Sequence, residues 1–536
     1  MPNVNQINKN TRYILCLSLL VSITLTACLP DKTALSNDVM LLSLPSDPVT
    51  LNPVLAEDAY SRALTEKIFE GMVARNPETL KYEGRLAHSW KVSKDLLTYK
   101  FFLRKDVKFH DGEPFDADDV LFTYEKMMDK NTPNPFTKVY YTDVKSIEAT
   151  DPYTIIFKMK KPYFKSFEFL GGFEVLPRHI YGKLENFVSN EVNLRNPVGT
   201  GPYKFARWKT GQYVLLSRND EYYLQKPQVA QLRYRILKNE TVTLQMGKKR
   251  QLDVISLKPF QWIRQTNSAS FDEHFRKLRY RGTGFRYIGY NTRRAPFTDV
   301  RVRRAMTYLM NLEKIKKSIL FDLAVIVTGP FWVNGKQYDN SIPAYGYDPA
   351  KALELLNQAG YKDSDSDGIL DKDGKKLEFE VLIPAGVPFY EQFCSVIRED
   401  FQKIGVILNV RKMEFSVMLD NINKRDFQAV MLAWSTPIES DPYQIWHSSQ
   451  LAKGHNFTGF STPEMDNIIE SARVEFDENK RNKMYHRFHR ILHDAQPYTF
   501  LFTQDSLTAV HKRFGNVEVY PGGLDPERWT ILDVDR

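Results

Sequence analysis

Cysteine is scarce in this chain: three residues in 536, at Cys16, Cys28 and Cys394. The first two lie in or beside an N-terminal segment with the features of an export signal, so removal of that segment leaves Cys394 without an intramolecular partner. Disulfides therefore hold nothing together, and a secreted protein can dispense with them when it is large enough to bury a proper core. Cys394 falls in a helical pattern, Phe389–Ile404, and reads as a buried small residue, not a reactive thiol. Long apolar runs are missing beyond the N-terminus; no later segment reaches the roughly 20 residues of a membrane-spanning helix. Gly-x-Ser-x-Gly, His-Glu-x-x-His and phosphate-loop patterns are absent, and the ten histidines show no metal-ligand spacing. His110-Asp111 and His447-Ser448-Ser449 set catalytic residue types side by side, but a triad is defined by roles and geometry. A hydrolase finds little support. Charge of a single sign is lacking too: 74 basic and 65 acidic residues are interspersed, for a formal charge of +9. Nucleic-acid binding asks for a concentrated basic patch; Arg276 to Arg304 comes nearest, and an export signal argues against it.

What is present begins at the N-terminus. Lys9 and Arg12 form a positive n-region, and Tyr13 to Ala27 is uncharged and mostly apolar. That run is short for a membrane span and reads as a secretory signal peptide, residues 1–27. Leu25-Thr26-Ala27-Cys28 resembles a bacterial lipobox, in which Cys28 becomes the lipidated first residue of the mature protein; the alternative is an ordinary secretory peptide with an incidental cysteine. Residues 28–38 read as a lipidated tether. The remainder is too long for one core, so two or three domains are expected.

Up to about residue 290, strands and helices mix without strict alternation. Val39–Leu44 reads as a buried strand, Ala59–Met72 as a helix, and Ser146–Thr150 with Thr154–Met159 as a pair across Asp151-Pro152. Tyr203–Trp208 and Tyr213–Ser217 pair across Lys209-Thr210-Gly211, and Leu232–Leu237 and Leu252–Leu257 add strands. Beyond residue 290 longer helices alternate with short strands. Val300–Met310, Pro349–Ala359, Met465–Phe476 and Glu478–Ala495 carry the helical period, while Leu377–Leu382, Leu408–Val410, Gln428–Trp434 and Tyr498–Phe502 read as strands. There is no internal repeat and no low-complexity tract.

The most informative string runs from Arg104 to Glu125. A strand rich in aromatic residues, Tyr99–Arg104, leads to a turn at Asp111-Gly112, and Asp116 caps a helix whose acidic first turn includes Asp119. Val120, Leu121, Tyr124, Met127 and Met128 recur at helical spacing and face a core. This string resembles the signature segment of the family 5 extracellular solute-binding proteins, the ligand receptors of peptide ABC importers. Seven further strings resemble landmarks of that family and follow in its order. They are Ile68–Met72, Arg85–Trp90, Val198–Tyr203, Phe297–Ala305, Tyr347–Ala352, Asp441–Ser448 and Pro463–Asp466.

The resemblance implies an α/β, two-lobed periplasmic-binding-protein fold (type II, peptide-binding cluster). Lobe I would comprise residues 39–287, with an extra subdomain at 76–190 that widens the lobe without lining the pocket. Lobe II would be 288–499, and 500–536 would return to lobe I, with crossings near Phe285–Asn291 and Pro497–Thr503. It further implies a non-enzymatic monomer, held as a lipoprotein in the periplasm or at the cell surface. There it would bind a peptide between the lobes and deliver it to ABC permease and ATPase subunits. The same fold serves receptors for oligosaccharides, opines, haem or metal chelates, and a peptide-sensing or chaperone lipoprotein is a further alternative.

The resemblance puts two segments at the cleft: Leu44–Pro48, with Ser46 and Asp47, and Ala433–Glu439, with Trp434, Ser435, Thr436 and Glu439. In dipeptide- and oligopeptide-binding relatives an Asp shortly after the matching Trp fixes the ligand's α-ammonium, and here that position is Pro437. Glu439 is the candidate substitute, or a solvated loop residue; Asp441, just before Pro442, reads as a helix cap. Trp434 is either a pocket floor or the end of a buried strand. Phe331 and Trp332, with Asn334 and Tyr338, occupy a Gly/Pro-flanked loop that either lines the pocket or carries scattered aromatics. Asp363, Asp365, Asp367, Gly368 and Asp371 match the first nine positions of a calcium loop, yet Gly374 stands where the bidentate Glu belongs. The expectation is no cofactor beyond a weak structural calcium at those four aspartates, or else a plain solvated hairpin.

Overall fold

The computed structural model describes residues 38–532, apart from 192–194 and 453. The signal peptide, Cys28 and most of the tether lie outside the described residues. Among the described residues no helix is long and apolar enough to cross a membrane.

Three antiparallel-rich sheets build the first half. In one, Val39–Leu44 lies parallel to Gln231–Ile236, and Tyr213–Arg218 and Tyr203–Lys209 continue the sheet antiparallel. Leu232, Tyr234 and Ile236 turn inward while the residues between them do not, the period-two pattern of a half-buried strand. A second, antiparallel sheet has the order Ala87–Val92, Thr98–Leu103, Thr154–Met159 and Val144–Asp151. Tyr99, Phe101 and Leu103 bury one of its faces. The helix Ala117–Met128 packs against this sheet and starts at a capping box: Asp116 accepts from the first turn while Asp119 accepts from the Asp116 amide. Val120, Phe122 and Met127 are among its buried residues, with Ala117, Asp119 and Thr123. Gly112 takes φ +95° in the turn before it, where a side chain would be strained.

The second half is organised on a five-stranded sheet, ordered Ile407–Met413, Glu378–Pro384, Ala429–Trp434, Phe285–Tyr290 and Tyr498–Phe500. Helices Val300–Tyr308, Pro349–Gln358 and Pro388–Gln402 bury their apolar stripes with it. Cys394 is part of that core, and burial pushes its thiol up to about 12, consistent with an inert small residue. All of Phe285–Tyr290 pairs within this sheet, so a boundary after residue 287 falls inside a strand.

One strand, Phe502–His511, joins the halves. It pairs with Val254–Ser256 and Phe275–Arg281 on one side of the molecule and with Ala324–Ile326 on the other. Phe275–Arg281 and most of Phe502–His511 escaped the sequence reading, because alternating arginines and lysines hide the strand period in the first. Past this strand, Phe514 and Trp529 return to the core of the first half.

Arg513 anchors the return. Its guanidinium donates to both Asp253 carboxylate oxygens at 2.8 and 2.7 Å and to the Val39 carbonyl at 2.6 Å, while Asp253 also accepts from the Leu41 amide at 2.7 Å. The two side chains are 2% and 3% exposed. Removing one member strands a buried charge, so Arg513→Met should cost about 3–5 kcal/mol in urea unfolding. Lys351→Met, at the exposed pair with Glu354, should cost far less, because water already solvates both charges.

A second buried acid makes stability depend on pH. Glu70 accepts from Tyr222 (2.6 Å), Tyr223 (3.1 Å) and Thr200 (3.1 Å), and burial pushes its carboxyl up to about 7. Between an unfolded value of 4.5 and about 7, the folded protein holds a proton that the unfolded chain has released. Its stabilisation is therefore full below the lower value and lost as pH rises through the upper one. Glu70→Gln should flatten the fall in unfolding free energy across this window relative to wild type.

Candidate functional site

A cavity of about 680 Å³ lies between the two halves and is walled by both, within the size range of small-ligand sites. The second half contributes the end of its central strand and the residues that follow, Trp434 to Pro437, with Phe285, Phe331 and Trp446 beside them. Trp434 lies parallel to Tyr287, which stacks on Tyr498 at 4.0 Å between ring centroids. Diagonal pairs on adjacent strands bring these rings together, and the stack holds the indole at the cavity wall. Trp434 thus ends a strand and lines the pocket at once.

The first half contributes the helix Ala59–Ile68 through Arg62, Thr65 and Glu66. It also contributes a wall from the 76–190 segment, which corrects the expectation that this segment stays off the pocket. Tyr140, Tyr141, Lys165, Glu168, Phe169 and Glu174 all line the cavity. The cause is close packing: a Cβ on Gly171 would come within 2.7 Å of the Val73 side chain and 3.1 Å of Phe101. Glycine lets the helix Ser166–Gly172 settle on the first half with Phe167 against Phe101. Its other face, carrying Glu168 and Phe169, then looks into the cavity.

The residues singled out from sequence divide. Phe331, Trp434, Ser435 and Thr436 line the cavity together. Ser46 and Asp47 do not. The Asp47 carboxylate accepts from the Trp208 indole at 2.8 Å and the Gly211 amide at 3.0 Å, pinning the turn between two strands of the first sheet, and Ser46 donates to the Asp47 carbonyl. Trp332 is buried but is not among the lining residues. Glu439 is also outside the wall, because Arg481 holds its carboxylate at 2.6 Å. Asp441 does cap the following turn by accepting from the Tyr443 amide, and it lines the cavity as well.

Asp441 belongs to a seam that stitches the halves beside the cavity. It accepts from Tyr163 at 2.8 Å and pairs with Arg473 at 3.0 Å, whose guanidinium lies between the Tyr163 and Tyr443 rings. The Phe164 amide donates to the Arg473 carbonyl, Lys165 donates to the Glu439 carbonyl at 2.8 Å, and Arg481 covers the Phe164 ring. Tyr163–Lys165 thus reach from the first half onto the second.

Among the cavity acids, Glu168 is compensated. Burial opposes its charge, but Lys165, Tyr82 and Arg75 outweigh that and hold it below the usual range. Glu66 and Glu174 make no salt bridge among the described residues. Burial pushes Glu174 up to about 8, and the Glu66 charge adds to it, while Thr65 and Arg62 act the other way. Sequence reasoning missed both: Glu66 looks like an ordinary exposed position on an amphipathic helix. The paired glycines Gly171-Gly172 ahead of Phe173-Glu174 were the signal of a close-packed wall.

In the acidic loop, Asp363, Asp365 and Asp367 bring their carboxylates within 4.8 Å of one another, all exposed. Asp371, expected as a fourth ligand, instead accepts from the Ser364 amide and hydroxyl, and Lys376 pairs with Asp367. Asp371–Lys372 and Lys375–Lys376 form a hairpin. The histidines of the hydrolase alternative have structural tasks: His110 bonds the Gly199 and Gly201 backbone, and His447 accepts from the Ser449 amide and stacks on Tyr443.

The family model for bacterial extracellular solute-binding proteins, family 5 Middle, matches residues 81–456. The chain belongs to this family of extracellular solute-binding proteins, which are binders and not enzymes. It is 28% identical over 537 residues to the oligopeptide-binding protein AppA of Bacillus subtilis, covering 96% of this chain and 97% of that one. The structure of AppA in complex with a nonapeptide superposes with a TM-score of 0.80 over 92% of this chain and 99% of that chain. NikZ from Campylobacter jejuni in complex with Ni(L-His), also 28% identical, gives 0.80 over 92% and 100%. The mixed α/β fold is that of periplasmic binding proteins.

Loss of the seam should open the cleft. Tyr163→Phe with Lys165→Met removes two bonds across the seam, each worth about 1.5–3 kcal/mol, together with the Lys165–Glu168 pair within the first half. The ligand-free double variant should show a larger radius of gyration in solution scattering than wild type; an unchanged value would mean the seam does not hold the halves together.

Proposed function

We propose that the protein is the extracytoplasmic receptor of an ABC importer, that it captures a peptide in the cavity between its halves, and that it delivers the peptide to permease and ATPase subunits. The observation that carries this reading is the 680 Å³ cavity walled by both halves, with aromatic side chains from each and the segment Trp434 to Pro437, which follows the central strand, along one side. Such a segment suits a peptide, whose every residue repeats the same backbone donor and acceptor, and aromatic walls receive varied side chains at low conformational cost. The AppA relatives support the ligand class. Residues 1–27 act as the export signal in this reading, and lipidation at Cys28 holds the mature receptor, a monomer, at the membrane.

A family that also includes a receptor seen with Ni(L-His) makes a chelate the alternative to test. Among the described residues, the one group of three clustered metal-competent side chains is Asp363, Asp365 and Asp367, exposed and away from the cavity, which favours the peptide.

Calorimetry across peptides of two to nine residues, with Ni–histidine as a competitor, tests the reading. Each net backbone hydrogen bond contributes about 0.5–1.5 kcal/mol, so peptides of about four or more residues should bind better than dipeptides, and Ni–histidine should not displace them. Tight binding of the chelate with no response to any peptide would replace peptide by chelate as the ligand.

A further inference from the structure

We infer that the cavity selects ligands with a cationic group, an ammonium or a guanidinium, and that Glu174 and Glu66 on the first half receive it. This rests on the peptide reading and names which peptides the cavity prefers. Four carboxylates line the cavity, and they differ in what already neutralises them. Asp441 is held by Arg473 and Tyr163 within the seam. Glu168 is held by Lys165 and Arg75. Those two acids have their partners before any ligand arrives, and Glu439, outside the wall, has Arg481. Glu66 and Glu174 have no salt bridge among the described residues, and they stand close enough for the charge on one to disfavour the charge on the other.

Two elements set this pair. Glu66 is on the helix Ala59–Ile68, and Glu174 follows the helix Ser166–Gly172. Their contact is tight: a Cβ on Gly71 would lie 2.8 Å from the Gly172 backbone, and the Val175 amide donates to the Glu70 carbonyl. The carboxylates are therefore placed by packed backbone and not by a loose loop. Arg62, on the same helix, moderates Glu174 but bridges neither acid, and it also faces Glu57. A ligand cation would relieve both the burial of Glu174 and its repulsion by Glu66, so a charged ligand gains what a neutral one cannot. Aromatic rings line the same cavity, Phe169 stacked on Tyr140 at 4.0 Å among them, and offer apolar surface along which a lysine or arginine stem can lie. On the other half Pro437, also a lining residue, offers no charge to a cation.

Calorimetry on matched pentapeptides tests this with wild type, Glu174→Gln and Glu66→Gln. One set is N-acetylated and carries lysine or norleucine at successive positions; the other has a free N-terminus and norleucine only. Wild type should prefer a charged peptide by at least roughly tenfold, the scale of one charge-assisted hydrogen bond. Preference for lysine assigns the cation to a side chain, whereas loss on acetylation assigns it to the N-terminus. Glu174→Gln should abolish that preference while changing neutral-peptide affinity less than about threefold. Glu66→Gln, at an exposed position, should reduce the preference without risk to folding. Equal affinity of wild type for charged and neutral peptides, or equal weakening of both by the variants, overturns the inference and leaves the peptide reading intact. Failure of every peptide to bind overturns both.

Discussion

The architecture depends on one extended run, Tyr498 to His511, which serves the sheets of both halves. Tyr498–Phe500 completes the five-stranded sheet of the second half, and Phe502–His511 is the central partner of the strands Val254–Ser256 and Phe275–Arg281 in the first. A strand hydrogen-bonded along most of its length cannot slip by one residue without turning its buried side chains outward. The run therefore fixes how the two halves stand at their junction. Arg513 and Asp253 lock its far end to the first strand of the fold. A buried ion pair is not a strong source of net stability, but its loss leaves a charge with nowhere to go. The chain ends are thereby committed to the same core.

That junction leaves a large cavity where the halves face each other without packing. Its rim is held by the seam of Tyr163, Lys165, Asp441 and Arg473, where charge, hydrogen bond and aromatic ring act on the same few atoms. Such contacts are strong enough to bias a closed arrangement and few enough to be exchanged when a ligand enters or leaves. The wall itself is divided in kind. The second half presents aromatic rings and the segment that follows its central strand; the first presents aromatics with two carboxylates that make no salt bridge among the described residues.

Much of this was legible along the chain. Val39–Leu44, Thr154–Met159 and Glu478–Ala495 occupy the ranges that their periodicity assigned them, because in each the apolar spacing is undisturbed by function. The helix after Asp116 was readable from its cap, and its capping box is a local interaction between residues three apart. Cys394 was placed in the core by helical period alone. Phe331, Trp434, Ser435 and Thr436, each in a segment that the sequence singled out, lie at the cavity wall. The strand Phe275–Arg281 was not legible, since it is crowded with arginine and lysine, of which Arg279 and Arg281 pair with Asp505 across the sheet.

The sequence by itself determined most of the elements, their caps and the family, since each is written in residues close together along the chain. Only the tertiary structure decided which candidates touch the cavity and which carboxylates remain available there. Asp47 was drawn to Trp208, Glu439 to Arg481 and Asp371 to Ser364, while Glu174 and Glu66 met across a glycine contact that no spacing announces. The reason is physical. A charge is neutralised by whatever lies within a few ångströms in space, and periodicity along a chain reports which face a residue occupies but not which distant residue the fold sets against it.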